Sequence, residues 1–232
     1  MSRTSLLRRG LGLVPLVLLL AVTGVVVRSL GTAPSPDPVR SAVYAAPVAD
    51  VRPAAAAPRQ RAHAAGPATV SPAWVATTAA KAGIPVPALR AYARAQLMVP
   101  SSCHLGWTTL AGIGWVESQH GTLGGRTLGD DGRSSAPIVG PALSGGLDHA
   151  YGPMQFIPST WSRWASDGDG DGVADIDDID DAAYAAARYL CGGGYDLTTG
   201  AGWAAAIFSY NHSQDYVNQV YAAATAYDER TR

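Results

Sequence analysis

The sequence predicts an all-α domain over residues 71–232, with at most a small β element. Three observations carry this. Apolar residues recur at helical spacing in several stretches between Ser71 and Tyr227, as in helices that each bury one face. Proline and glycine punctuate those stretches at positions that open and close helices. No alternating apolar and polar run is long enough to make a strand of useful length.

Taken in order, residues 1–30 read as an address rather than a fold element. Arg3, Arg8 and Arg9 precede an apolar run from Leu11 to Val27, followed by Arg28. A basic segment ahead of a hydrophobic one is the pattern of a signal peptide, and the run is also near the length that spans a bilayer. The expectation is therefore a cleaved signal peptide or an uncleaved signal anchor, and either exports the rest of the chain. Paired arginines are ordinary in such a leader, so Arg8-Arg9 is not read as a twin-arginine signal. Residues 31–70 are alanine, proline and arginine without a sustained period. They cannot bury a core and are expected to form a disordered, semi-stiff linker.

Ser71-Pro72 supplies an N-cap and a proline at the first helical position, and Gly83 closes that helix. A second helix starts at Pro87 and ends before Pro100. A third runs from about Leu105 to Gln119. The Gly-, Ser- and Asp-rich stretch 121–151 is a long loop, which inside a compact domain is functional or disordered. Helical signals return at Pro158–Ala165, Asp178–Cys191, Ala201–Tyr210 and Tyr216–Tyr227.

Charge separates the two parts of the chain. Residues 1–70 carry eight arginines against Asp37 and Asp50, whereas 71–232 carry nine basic and sixteen acidic residues. An acidic domain lacks the basic face that nucleic acid requires, which excludes that class of partner. The two cysteines, Cys103 and Cys191, both lie in the domain. In an exported chain such a pair favours a disulfide over two free thiols.

Glu117 is one of two glutamates in the chain, and Glu229 lies near the C-terminus. Leu110, Ile113 and Gly114 share its helix stripe, so Glu117 sits where an apolar face should be buried. Burial disfavours the charged carboxylate and raises its pKa toward neutrality, as the acid in glycosidic bond cleavage requires. The alternative is a carboxylate at the helix rim that accepts a hydrogen bond from Ser118 or a backbone amide. The segment Tyr151–Trp161 places Met154, Gln155 and Phe156 between turn formers and aromatics, suited to a sugar-binding wall. Tyr210 and Asn211, in Phe208–Val217, can hydrogen-bond a substrate or the carboxyl group. Taken singly, a buried Gln, Tyr or Asn is more often structural.

A separate pattern occupies Asp167–Asp178. Asp167, Asp169, Asp171, Gly172, Asp175 and Asp178 fall at positions 1, 3, 5, 6, 9 and 12 of an EF-hand loop, with Val173 at the backbone-carbonyl position. The expected ligands of a structural Ca²⁺ are therefore Asp167, Asp169, Asp171, Val173, Asp175 and Asp178, the last standing where a bidentate glutamate is usual. The alternative is a solvated acidic turn that caps the following helix.

Together and in this order, Gly112–Gly121, Tyr151–Trp161 and Phe208–Val217 resemble the three signature segments of the lytic murein transglycosylases of the lysozyme superfamily, particularly the membrane-bound lytic transglycosylase B branch. The resemblance covers about residues 80 to 228. It implies a helical lysozyme-like domain of α+β type with an embedded EF-hand-like calcium loop. Glu117 is then the single acid/base, with Ser118, Met154, Gln155, Phe156, Tyr210 and Asn211 binding substrate. The implied substrate is the peptidoglycan glycan strand, cleaved between N-acetylmuramic acid and N-acetylglucosamine by a monomeric enzyme held at the outer membrane face or released into the wall. The chain departs from the better-known members in lacking a lipid-anchor cysteine and in its short 121–151 region. A muramidase with a hydrolytic outcome, for which Asp130, Asp131 and Asp148 offer second carboxylates, and an inactive wall-binding module are the other readings.

Overall fold

The structure, a computed structural model, describes residues 68–142 and 148–232. The expected leader, and all but the last residues of the expected linker, lie outside them. The described elements are α1 (Pro72–Ala82), α2 (Val86–Met98), a 3₁₀ turn (Ser101–Cys103), α3 (Trp107–Ser118), β1 (Val139–Ala142), β2 (His149–Tyr151), α4 (Pro158–Trp164), α5 (Ile179–Gly192), α6 (Gly200–Tyr210) and α7 (Gln214–Thr231). The helical reading therefore holds. The small β element is an antiparallel pair in which Val139 faces Tyr151 and Ala142 faces His149, with an irregularity between.

Local chemistry sets the helix ends. Ser71 accepts the amide of Trp74 and Pro72 takes the first helical position, while Gly83 closes α1 at φ 73°, a conformation costly for a residue with a Cβ. Asp178, Thr199 and Ser213 cap α5, α6 and α7 through their side chains. The cap at Ser213 lets α7 begin before, and run beyond, the expected Tyr216–Tyr227 span. α3 is shorter than expected, because Gly106 is still extended and Gln119 is left-handed at φ 52°.

α3 is the centre of the domain. Every residue from Trp107 to Gly114 is buried, so neighbours enclose this helix on all sides and the single apolar stripe understates its burial. Trp203 of α6 donates its indole N–H to Thr109 at 3.0 Å. Two glycines admit close neighbours. A Cβ on Gly112 would stand 2.7 Å from the Val220 carbonyl of α7, and one on Gly114 would meet the Tyr92 hydroxyl of α2 at 2.0 Å.

α2 and α5 are joined by charge. Arg90 and Arg94, one turn apart, each approach a different oxygen of Asp180 at 2.9 Å, and Asp180 is only 2% exposed. Arg90 also donates to the Asp130 carbonyl. The predicted disulfide is present: Cys103 and Cys191 are bonded, with Cα atoms 5.5 Å apart and a sequence separation of 88. Closing a loop of that length stabilises the fold by about 4 kcal/mol in chain-entropy models.

Replacing Gly112 with alanine is expected to push α7 away from α3 and lower stability by about 1–3 kcal/mol, read as a lower midpoint in urea unfolding.

Candidate active site

Glu117 stands on the last turn of α3, where the enclosed part of the helix gives way to a partly buried rim. Its Oε1 accepts the hydroxyl of Tyr216 at 2.6 Å. Tyr216 belongs to the first turn of α7 and is itself buried. Behind it Tyr210, from the end of α6, lies parallel with ring centroids 6.5 Å apart, and the Tyr210 hydroxyl donates to the Met154 carbonyl at 2.9 Å. Three segments remote in sequence thus meet at one carboxyl group.

Burial pushes the Glu117 pKa up to about 7, against the opposing pull of the Tyr216 hydrogen bond, which favours the charged form. Burial, reinforced by the Glu117 charge, holds Tyr210 and Tyr216 well above the ordinary tyrosine range. Both phenols therefore stay neutral donors, while Glu117 passes between acid and base near neutral pH. A carboxyl group so placed can give a proton and take one back.

Tyr210 also lines a cavity of about 240 Å³, with Gln155, Thr160, Tyr189, Ser209 and His212 in its wall. Tyr210 belongs to both the wall and the stack behind Glu117. Gln155 is held in the left-handed region at φ 50°. Its turn is closed by amide–carbonyl bonds in both directions between Tyr151 and Phe156, and its own Nε2 donates to the Gly152 carbonyl. Its Oε1 would lie 2.4 Å from a Cβ on Gly140, so the bare backbone of β1 makes room for the amide. A non-glycine residue kept left-handed in a cavity wall is strain of the kind functional sites store.

The structure distributes the expected substrate-binding residues over two roles. Gln155 and Tyr210 line the cavity, as does one face of Phe156, whose ring otherwise packs edge-on against Trp161 and Tyr210. Ser118 and Met154 are fully buried. Ser118 donates to the Pro153 carbonyl at 2.6 Å and accepts the Gly121 amide at 2.7 Å, so it pins α3 to the 152–154 turn instead of facing solvent. Met154 fills the core and offers only its carbonyl. Asn211 is exposed and ends α6, its amide bonded to the Ile207 carbonyl. Tyr216 is the functional residue the spacing did not single out. It sits within the third signature segment, but the helix break at Asn211–Ser213 removes any periodic relation to Tyr210.

The acidic loop gathers a second cluster of functional side chains. Asp167, Asp169 and Asp181 bring one carboxylate oxygen each to within 4.8 Å of one another. Asp167 accepts the amides of Gly170 and Gly172 at 2.6 and 2.9 Å, and Gly172 makes the sharp turn at φ 92°. Asp178, the expected last ligand, stands outside this cluster. Asp178 turns into α5, where it accepts the Asp180 amide at 2.8 Å as the N-cap. Asp181, one turn further, points into the loop and accepts the amides of Gly168 and Asp175. Asp175 pairs with Arg133 at 2.5 Å, and Asp171 accepts the Val173 amide. Neither belongs to the three-carboxylate cluster. Burial first, and then the charges of Asp181, Asp180 and Asp169, push Asp178 up to about 7. That crowding of negative charge, with an all-oxygen donor set, fits a hard divalent cation such as Ca²⁺.

Residues 138–216 match the family model described as the transglycosylase SLT domain. The match spans the cavity wall, the acidic loop and both stacked tyrosines, and lies downstream of Glu117. No curated protein matches the chain. Among solved structures, the chain is similar to the Escherichia coli lytic transglycosylase Slt35 in complex with calcium, with TM-score 0.47 and 16% identity over 68% of this chain and 75% of that one. It is similar also to Slt35 in complex with bulgecin A, with TM-score 0.45 and 16% identity over 68% and 74% of the two chains. Over residues 138–216 the chain is thus similar to the transglycosylase SLT domain.

Proposed function

We propose that Glu117 is the single acid/base that cleaves the β-1,4 bond between N-acetylmuramic acid and N-acetylglucosamine, leaving 1,6-anhydro-N-acetylmuramic acid ends. The observation that carries this reading is the position of Glu117: a carboxyl group with pKa about 7, held by the phenol of Tyr216, which stacks on the Tyr210 of a cavity wall. As an acid it protonates the glycosidic oxygen while the acetamido group of the muramic acid assists at the anomeric carbon. As a base it then takes the proton of the C6 hydroxyl, whose oxygen closes the anhydro ring. Glu117 ends as it began, and water is not consumed. Gln155 and Tyr210 orient the sugar from the cavity wall.

A hydrolytic muramidase would need a carboxylate partner about 5 Å away, or further if inverting. The influences that set the Glu117 pKa are burial and Tyr216, and neither is a second carboxylate. This favours the anhydro product. A Ca²⁺ held by Asp167, Asp169 and Asp181 would neutralise the loop and brace it against α5. Among the described residues no helix is long and apolar enough to cross a membrane. An enzyme that acts on peptidoglycan would work in the cell envelope, and that location is part of the proposal. Residues 1–30 are proposed as signal peptide or anchor, residues 31–70 as the tether of a monomeric domain of the membrane-bound B type.

Glu117→Gln is expected to abolish turnover on purified sacculi, while mass spectrometry of wild-type digests finds ends lighter by one water than reducing ends. Turnover requires protonated Glu117 at the first step, so the rate should fall as pH rises through about 7. The same variant tests stability. The folded-state pKa lies above its unfolded value, so the native state binds the extra proton and loses stability as pH rises from about 4.5 through 7. Above pH 7 Glu117→Gln should therefore be more stable than wild type, by up to about 3 kcal/mol, in urea unfolding. For the loop, Asp181→Asn should weaken Ca²⁺ binding in calorimetry more than Asp178→Asn does.

A further inference from the structure

His120 is buried, with 1% of its surface exposed, and the reaction proposed for Glu117 gives it no chemical part. Both ring nitrogens are nevertheless bonded. Nδ1 lies 3.0 Å from the Tyr92 hydroxyl of α2, and Nε2 lies 2.9 Å from the Tyr227 hydroxyl of α7. Burial lowers its pKa to about 3, so the ring is neutral, donating through one nitrogen and accepting through the other. Trp115 covers the ring at a centroid distance of 5.8 Å. The remaining charged group nearby is Arg230, whose guanidinium lies over the Tyr227 ring.

Backbone geometry gives this arrangement a direction. Immediately after Glu117 and Ser118 the chain reverses through three successive left-handed residues, Gln119, His120 and Gly121, at φ 52°, 61° and 83°. Two of them carry a Cβ and are strained there. The His120 amide returns to the Gly114 carbonyl at 2.8 Å, and Gly114 is the residue whose missing side chain admits Tyr92. On α7, Tyr216 and Tyr227 are eleven residues apart, close to three full turns, and share one face. Val220 and Ala224, both buried, lie between them on the same face. One end of that face touches Glu117, the other His120.

We propose that His120 is a positioning residue, which locks the α3 C-terminal turn to α2 and α7 and thereby holds Glu117 against Tyr216. The inference rests on the assignment of Glu117 as the acid/base. The groups facing Glu117 are Tyr216 from α7 and, behind it, Tyr210 from α6, both neutral. When α7 slips relative to α3, the Tyr216 hydrogen bond lengthens. Because that bond favours the carboxylate, its loss moves the Glu117 titration to higher pH.

The test uses the full chain on purified sacculi, with His120→Gln, His120→Ala and Tyr227→Phe, the last keeping the ring and removing one hydroxyl. Expected is a fall in kcat on the order of tenfold or more, KM within about twofold, and an alkaline limb displaced to higher pH. Tyr216→Phe should give the same displacement, and adding Tyr227→Phe to it should displace the limb no further. If His120→Ala fails to fold, Tyr227→Phe and the double variant decide. Wild-type kcat and an unmoved limb in Tyr227→Phe, with only the melting temperature lowered, overturn the proposal. Full additivity in the double variant overturns it too. Glu117→Gln is run alongside: activity retained there refutes the acid/base assignment itself, a result distinct from any outcome at His120.

Discussion

Two helices can run closer than their side chains allow only where one of them has none. At Gly112 the carbonyl of Val220 occupies the space a Cβ would take, and this approach of α3 to α7 sets the distances on which the rest of the domain depends. It carries Tyr216 to Glu117 at hydrogen-bonding distance and Tyr227 to His120 three turns further along. It also leaves α3 enclosed along most of its length, so that its last turn is where a carboxyl group emerges, half-buried, from the core. Desolvation of Glu117 is thus a result of helix packing and needs no dedicated device.

Much of the fold was legible because the helix signals were local. Ser71-Pro72, Gly83 and the segment after Asp178 end or begin helices through groups adjacent in sequence, and α1 and α5 follow them closely. Glu117 was legible as an anomaly, a carboxylate on a stripe with Leu110 and Ile113. The surroundings of Ser118 were not legible, because they depend on a turn 35 residues away: its hydroxyl donates to the Pro153 carbonyl and accepts the Gly121 amide. Tyr216 was not legible, since its partner lies 99 residues away across α3 and α7.

At the acidic loop, a helix boundary decides which carboxylates gather. Counting in steps puts Asp178 at the last ligand position, but a carboxylate just before a helix is drawn to the free amides of the first turn. Asp178 takes that role, and Asp181, three residues on, is turned toward the loop by the helix itself. Asp180, between them, points the opposite way into Arg90 and Arg94. The three neighbouring acids serve a cap, an ion pair and a cluster, and only the fold distinguishes them.

The bridge between Cys103 and Cys191 has a topological consequence. It makes the chain from 103 to 191 a covalent ring that holds Glu117, Gln155 and all three carboxylates of the acidic cluster, while Tyr210 and Tyr216 lie on the tail outside it. A single peptide bond cut in the long 121–151 region therefore opens the ring but releases nothing. The segment bearing the acid and the segment bearing its phenol remain parts of one molecule, so the domain can survive a nick that would divide an unbridged chain in two.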